Sequence, residues 1–389
     1  MHSAANMLYL CFMSLILKNQ TADALHNALA DQGITPRIAR VIQASVIRQN
    51  TFPSAAPAIS ARALERARTA TAIPNLEIVE KLVSPKDGFA KYLFRGDGGD
   101  EFEAVGIPIL HRPHDRKQIV CVSSQVGCGL GCDFCATARL GFRRNLAAWE
   151  IVDQVIKIQA NSDLPVRGIV FMGMGEPMLN YDAVMTAAAI CSEPCGMAIN
   201  SKSITISTAG IVPGIRRFTA ERRRYQLIVS LTIADPARRR ELMPVEQWHP
   251  TTELIAALRE YHAATRRRAT IAWIMMSGVN TTERDAMELA DLVRDLPVKI
   301  DLIDVNDPSG RFHPPTRDEL SAFRDALRKH IRAPVVRRYS GGADIHAACG
   351  MLALQNQYEL NFPRAPASSG VAQIRHIPPT RSPQEKKES

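Results

Sequence analysis

From about residue 119 the chain alternates between two hydrophobic periods. Short apolar runs of strand character fall at Ile119–Ser123, Gly168–Met172, Ser203–Ser207, Leu227–Thr232, Thr270–Met276, Lys299–Asp304 and Val335–Arg338. Between them lie longer segments with apolar residues at helical spacing, among them Ala147–Ala160, Tyr181–Cys191, Thr252–Ala264, Glu283–Asp295 and Asp318–Ile331. Strand–helix alternation at this spacing predicts parallel strands joined by helical crossovers. Six or seven such units are too few to close an eight-fold barrel. The expected fold is α/β, a partial, open parallel β/α barrel, with functional residues gathered at the carboxyl ends of its strands.

The flanking segments follow other patterns. Residues 19–68 read as short helices with alanine-rich apolar faces, Leu25, Leu29 and Ile34 giving partial helical spacing. Arg37, Arg40 and Arg48 suit either an RNA-gripping domain or plain packing onto the barrel. Residues 75–108 turn to short strands: Lys91–Arg95, the glycine-rich turn Gly96-Asp97-Gly98-Gly99 and a return strand Phe102–Ile107 form a predicted hairpin. The expected division is an N-terminal extension (1–18), a small helical domain (19–74), a hairpin extension (75–118), the barrel (119–355) and a disordered, Pro-, Ser- and charge-rich tail (356–389). Residues 1–17 are apolar but lack a basic start and a clear cleavage site, and they are too short and interrupted for a membrane span. Met13 is an alternative start.

Composition sharpens this picture. A chain of 389 residues with 46% hydrophobic content suits one large domain plus a small one. The net charge of +9 favours a polyanionic partner, nucleic acid first. Three arginine triplets (222–224, 238–240 and 266–268) strengthen that expectation, against the alternative of a merely solvated surface. Eight cysteines in so long a chain are not a secreted disulfide framework. Free thiols require a reducing compartment, so the expected location is the cytoplasm.

The densest chemistry lies in Cys121-Val-Ser-Ser-Gln-Val-Gly-Cys128-Gly-Leu-Gly-Cys132-Asp-Phe-Cys135. A CxxxCxxC loop wraps a cubane iron–sulfur cluster with three thiolates and leaves the fourth iron open, which is the arrangement of radical S-adenosylmethionine (SAM) enzymes. Structural zinc is the alternative. It usually takes paired ligands from two knuckles, and no second CxxC exists here. The predicted strand ends carry Gly173-Met174-Gly175-Glu176-Pro177, Ser207-Thr208-Ala209-Gly210, Ser230-Leu231-Thr232 and Asn306. Glycines there admit backbone amides close to a ligand, and a carboxylate beside them holds an ammonium group. Near the end, Gly341-Gly342 predicts a mobile loop that contains Cys349. Cys191 and Cys195 read as small buried residues, and Glu103 by itself reads as a surface carboxylate.

Together these segments resemble the RlmN/Cfr family of radical SAM RNA methyltransferases from about Lys91 to Met351. The markers are CVSSQVGC with the triad, FMGMGEP at Phe171–Pro177, STAG at Ser207–Gly210, LMP at Leu242–Pro244 and DIHAACG at Asp344–Gly350. The resemblance implies a radical SAM-type partial barrel with a small N-terminal helical domain. It implies a [4Fe-4S] cluster on Cys128, Cys132 and Cys135, and SAM contacts from Gly175, Glu176, Ser207, Ser230, Thr232 and Asn306. It further implies that Cys349 is methylated by one SAM and loses hydrogen to a radical made from a second. The carbon radical adds to adenine, Glu103 accepts the ring proton, and Cys121 attacks the Cys349 sulfur to free the product with a disulfide. The implied activity is methylation of adenosine C2 in 23S rRNA, with tRNA as a further substrate and flavodoxin or a similar protein as electron donor. C8 methylation, as in Cfr, is the near alternative, and a zinc-stabilised non-catalytic RNA-binding protein the distant one. A monomer without membrane attachment is expected. This chain departs from the family at Thr232, where histidine is usual, at Val305-Asn306-Asp307 in place of Trp-Asn-Pro, and at Gly341 in place of arginine.

Overall fold

The computed structural model describes residues 14–96, 98–110 and 115–353. The expected disordered tail and most of the N-terminal extension, Met13 included, lie outside the described residues. Three helices, α1 (Ala22–Leu29), α2 (Pro36–Gln49) and α3 (Ala61–Thr69), open the chain. Each begins where a hydroxyl caps the free amides of its first turn: Thr21 accepts from Ala24 N, Thr35 from Ile38 N and Ser60 from Ala63 N. Leu25, Leu29, Ile38, Ile42 and Val46 bury the apolar faces. A fully buried ion pair, Lys18 Nζ to Asp153 Oδ1 at 2.6 Å, ties this N-terminal segment to the first long helix of the barrel. Arg48, one of the three arginines singled out in this segment, is used in packing, its Nε donating to Gly196 O at 2.9 Å.

One ten-stranded sheet carries the rest. Its strands are β1 (Glu77–Val83), β2 (Ala90–Arg95), β3 (Glu101–Ile109), β4 (Lys117–Cys121), β5 (Val166–Phe171), β6 (Ile204–Thr208), β7 (Gln226–Ser230), β8 (Ala269–Met275), β9 (Val298–Asp304) and β10 (Val335–Arg338). Spatial order equals chain order, and every pair from β4 to β10 is parallel. The crossovers include α4 (Ala136–Arg139), α5 (Ala148–Ala160), α6 (Tyr181–Ser192), α7 (Val212–Ala220), α8 (Pro236–Leu242), α9 (Thr251–Thr265), α10 (Glu283–Leu292) and α11 (Arg317–His330). Continuous apolar strands such as β8, with Ile271, Trp273 and Met275 wholly buried, are what a sheet covered by helices requires. β1 and β10 are not paired to each other, so the parallel part is an open β/α barrel.

The predicted hairpin is present as β2 and β3, but it is not a separate layer. β1 adds a third strand, and β3 pairs antiparallel with β4, setting Val105 opposite Cys121. The extension is therefore the antiparallel edge of the barrel sheet. Its register carries Glu103 to within two residues of the position facing Cys121.

Candidate active site

The cysteine loop leaves β4 at Cys121 and is bracketed by a short ribbon, Gln125–Gly127 against Phe142–Asn145. The sequence reading missed this ribbon because its strands are short and half polar. Gly127 has φ +74°, and a Cβ there would lie 1.8 Å from Gly141 O, so no other residue fits. Cys128 N donates to Gly141 O (3.0 Å), Cys135 N to Cys132 O (3.1 Å) and Asp133 N to Leu242 O (3.0 Å). Burial pushes the Cys128 thiol up to about 12 and that of Cys132 well above its ordinary value. Neighbouring thiols raise them further, Cys135 acting on both and Cys128 on Cys132, so the triad shares one field. No three His, Cys, Asp or Glu among the described residues converge as ligands of a single metal ion. Three neighbouring thiols in a glycine-lined loop suit a cluster whose thiolates sit on separate irons, and the metal–sulfur bonds formed on loading would offset the cost of deprotonating buried thiols.

Beside the loop, Glu176 forms a buried shelf. Its Oε2 accepts from Ala209 N (2.8 Å) and its Oε1 from Met178 N (3.0 Å), while its own N donates to Gln125 Oε1 (2.8 Å). Burial raises its carboxyl to about 7 against the lowering effect of those amides. Gly175, at φ +99°, packs on Gln125, which a Cβ would meet at 2.5 Å. Ser207 and Ser230 stand half-buried at the ends of β6 and β7. Thr232 is fully buried at φ +64°, a conformation strained for a β-branched residue, and its hydroxyl has no hydrogen-bond partner among the described residues. Asn306 Nδ2 donates to Asp304 O and to Ser340 Oγ, both at 3.1 Å.

The last group comes from distant parts of the chain. Glu103, expected from its own context to be a surface residue, is buried. Its Oε1 lies 3.1 Å from Lys91 Nζ and its Oε2 accepts from Ala353 N at 2.9 Å. Cys349 is exposed, and its backbone follows the cysteine loop closely: Gly350 O accepts from Ala136 N (2.8 Å) and Leu352 O from Thr137 Oγ1 (2.6 Å). Cys121 is a buried free thiol raised by burial and then by the nearby Cys349. Residue 349 thus sits against the segment that bears the triad, with Cys121 and Glu103 on the adjoining strands.

Comparisons with known proteins show the family. The radical SAM superfamily profile matches residues 122–293. A probable RNA methyltransferase of Myxococcus xanthus is 47% identical over 342 residues, covering 87% of this chain and 94% of the relative. A dual-specificity RNA methyltransferase RlmN of Syntrophobacter fumaroxidans is 45% identical over 269 residues, covering 68% and 77%. The crystal structure of a radical SAM methyltransferase from Sphaerobacter thermophilus superposes with a TM-score of 0.77 at 35% identity, covering 87% of this chain and 99% of that one. The chain belongs to the RlmN/Cfr family of radical SAM RNA methyltransferases. Membership makes it a SAM-dependent enzyme and implies a [4Fe-4S] cluster, SAM and an RNA substrate. No helix among the described residues is long and apolar enough to cross a membrane.

For an RlmN/Cfr enzyme the arginine triplets need a different account from the sequence reading. Arg239 is wholly buried; it donates from Nε to Leu231 O (3.1 Å), from Nη2 to Ala209 O (2.7 Å) and from Nη1 to Glu246 Oε2 (2.5 Å). It ties the ends of β6 and β7 together beside Cys132, and Arg238 is held by Asp285 at 2.8 Å. Within the triplet at 238–240, Arg239 is internal, Arg238 half-buried and Arg240 exposed. Residues 222–224 and 266–268 precede β7 and β8, at the amino ends of the strands, so they face away from the catalytic mouth. Arg239, Lys91 and Gln125 are the site residues missed by the sequence reading. A lysine in a strand or an arginine in a basic run carries no local mark of burial.

Proposed function

We propose that this protein methylates C2 of adenosine in 23S rRNA, with tRNA as a second substrate, using Cys349 as the methyl carrier. The observation that supports the reading is that the Cys349 segment packs on the triad segment, with Cys121 in its field and with Glu103 accepting from Ala353 N, 250 residues away in sequence. Cys128, Cys132 and Cys135 would hold the cluster, and Gly175, Glu176, Ser207, Ser230, Thr232 and Asn306 would line the SAM site. When bound, the cluster supplies the electron that cleaves SAM.

The rest of the work falls to side chains. Cys349, open at the mouth, would take a methyl group from SAM on its sulfur and then present that methyl group to the base. Glu103, held by Lys91 and the Ala353 amide, accepts the ring proton. The Cys121 thiolate would attack the Cys349 sulfur, forming the S–S bond as the S–C bond to the RNA breaks; the carbon keeps that electron pair and takes a proton to become the product's methyl group. The carboxylate of Glu176 receives the SAM ammonium. Flavodoxin or a similar protein supplies electrons to the monomer.

Anaerobic assays on rRNA and tRNA, followed by digestion to nucleosides and mass spectrometry with authentic standards, test the product. 2-Methyladenosine is the expected species. 8-Methyladenosine alone would establish the Cfr-type outcome instead.

The raised Glu176 carboxyl gives a further expectation. The charged form binds an ammonium, so SAM affinity should be greatest above pH 7 and fall about tenfold per unit below it. Isothermal titration across pH 6–8 checks this, and Glu176→Gln should bind weakly with no such slope. An equal slope in that variant would assign the proton to another group.

A further inference from the structure

The Gly341-Gly342 pair, expected to mark a mobile loop, is where the Cys349 loop packs most tightly. A Cβ on Gly341 would lie 2.5 Å from both Asp87 Oδ2 and Phe89 Cε2, and 2.7 Å from the Tyr339 ring. A Cβ on Gly342, at φ +75°, would meet Ala347 Cβ at 2.8 Å and Phe89 Cβ at 3.0 Å. Both glycines admit the turn between β1 and β2, residues 84–89.

We propose that this turn latches the Cys349 loop, with Asp87 as the positioning residue that keeps Cys349 beside the cysteine triad. The Asp87 carboxylate joins the two segments. Its Oδ2 accepts from Gly342 N (2.8 Å) and Tyr339 Oη (2.9 Å), while its Oδ1 accepts from Phe89 N (3.2 Å). Ser84 Oγ donates to Asp344 Oδ2 at 3.1 Å, and the Phe89 and Tyr339 rings meet edge to face at 6.2 Å. Burial pushes the Asp87 carboxyl up, but hydrogen bonds from Gly342, Ser84, Tyr339 and Phe89 outweigh it and leave it below its ordinary value. It is therefore an anion at neutral pH, and its bonds to the loop are charge-assisted.

The loop is held at both ends. Asp87 grips residues 339–342, and Ala136, Thr137 and Glu103 grip residues 350–353. Between them Cys349 N donates to Ser340 Oγ at 3.1 Å, and that same hydroxyl accepts from Asn306. Asp87 touches none of the reacting atoms. Its role in positioning Cys349 rests on the function proposed above, whereas the latch itself stands on the contacts.

The test uses the full-length holoenzyme and three single variants, Asp87→Ala, Asp87→Asn and Gly341→Ala. Hydrogen exchange without SAM or RNA should show residues 339–350 opening on the order of tenfold more often in Asp87→Ala, with the barrel strands unchanged. Gly341→Ala, which leaves the carboxylate in place but adds a methyl group where there is no room, should do the same. Asp87→Asn keeps an oxygen for Gly342 N and should recover most of the protection. The double variant Asp87→Ala/Gly341→Ala should open no further than the more open of the two singles, because both changes break one contact. Mass spectrometry should show methyl occupancy of Cys349 falling in step with the exchange.

Wild-type exchange rates in both Asp87→Ala and Gly341→Ala would overturn the latch, as would a gain spread over the whole barrel. Faster exchange with unaltered methylation of Cys349 would overturn the positioning role. A wild-type enzyme that never methylates Cys349 would overturn the proposed function, while the exchange data would still decide the latch.

Discussion

Cys349→Ala should abolish methyl transfer to RNA, by at least about a thousandfold, or roughly 4 kcal/mol of transition-state stabilisation. The expectation follows from the chemistry of adenine: an aromatic C–H carbon is too poor a nucleophile to take a methyl cation from SAM directly. A carrier that holds the methyl group while it becomes a radical removes that obstacle, and removing the carrier leaves no slower route of the same kind. The fold should survive. Cys349 is exposed, and its backbone N–H, which donates to Ser340 Oγ, is retained by alanine. The change in stability should stay within about 0.5 kcal/mol. Anaerobic assays with isotopically labelled SAM, together with the iron and sulfide content, check both halves. RNA methylation by a fully loaded Cys349→Ala protein would remove the carrier role.

Cys121→Ala should stop the reaction after the base has been joined to the enzyme. Cys121 is the buried thiol whose field reaches Cys349, so it is placed to attack that sulfur once RNA is attached. Burial keeps it protonated at neutral pH, which protects it from oxidation and makes loss of its proton part of the resolving step. Without it, turnover should fall about a thousandfold, and a covalent RNA–protein species should accumulate in a single-turnover reaction. Denaturing gels with labelled RNA read this directly. Loss of turnover with no adduct would move Cys121 to an earlier step, and normal turnover would exclude it. Substituting one buried sulfur should cost about 1 kcal/mol of stability, so unfolding would not mimic the result.

Both experiments depend on an arrangement that the amino-acid sequence reveals unevenly. The parallel strands were legible because apolar runs and helical spacing are local patterns, and residues 119–338 follow them with boundaries shifted by a few residues at most. The cysteine triad was legible because a metal loop is built from near neighbours with glycines between them. The antiparallel edge was only half legible. Its hairpin turn is local, but the pairing of β3 with β4 joins it to the barrel across a separate connection. Glu103 looks like a surface residue on its own strand and becomes a buried carboxylate only when Lys91 and Ala353 arrive beside it.

The arginines mark the limit most clearly. Arg238, Arg239 and Arg240 are identical in sequence, yet Arg239 is enclosed by two strand ends and Glu246 while Arg240 remains exposed. No property of a basic run separates them, because burial of a charge is decided by which partners surround it.

The chain by itself determined the β/α order, the metal-binding loop, the chemistry available at its strand ends and, through shared motifs, the family. These depend on residues within one or two turns of each other. Tertiary structure alone decided that the Cys349 segment packs on the triad segment, that Glu103 is buried against Lys91 and Ala353, and that a glycine pair serves close packing against Asp87. Apart from the Lys91 pair, those contacts join residues 215 to 255 positions apart. Such contacts form only after the intervening sheet has met the entropic cost of bringing the segments together, and no short window of sequence records that outcome.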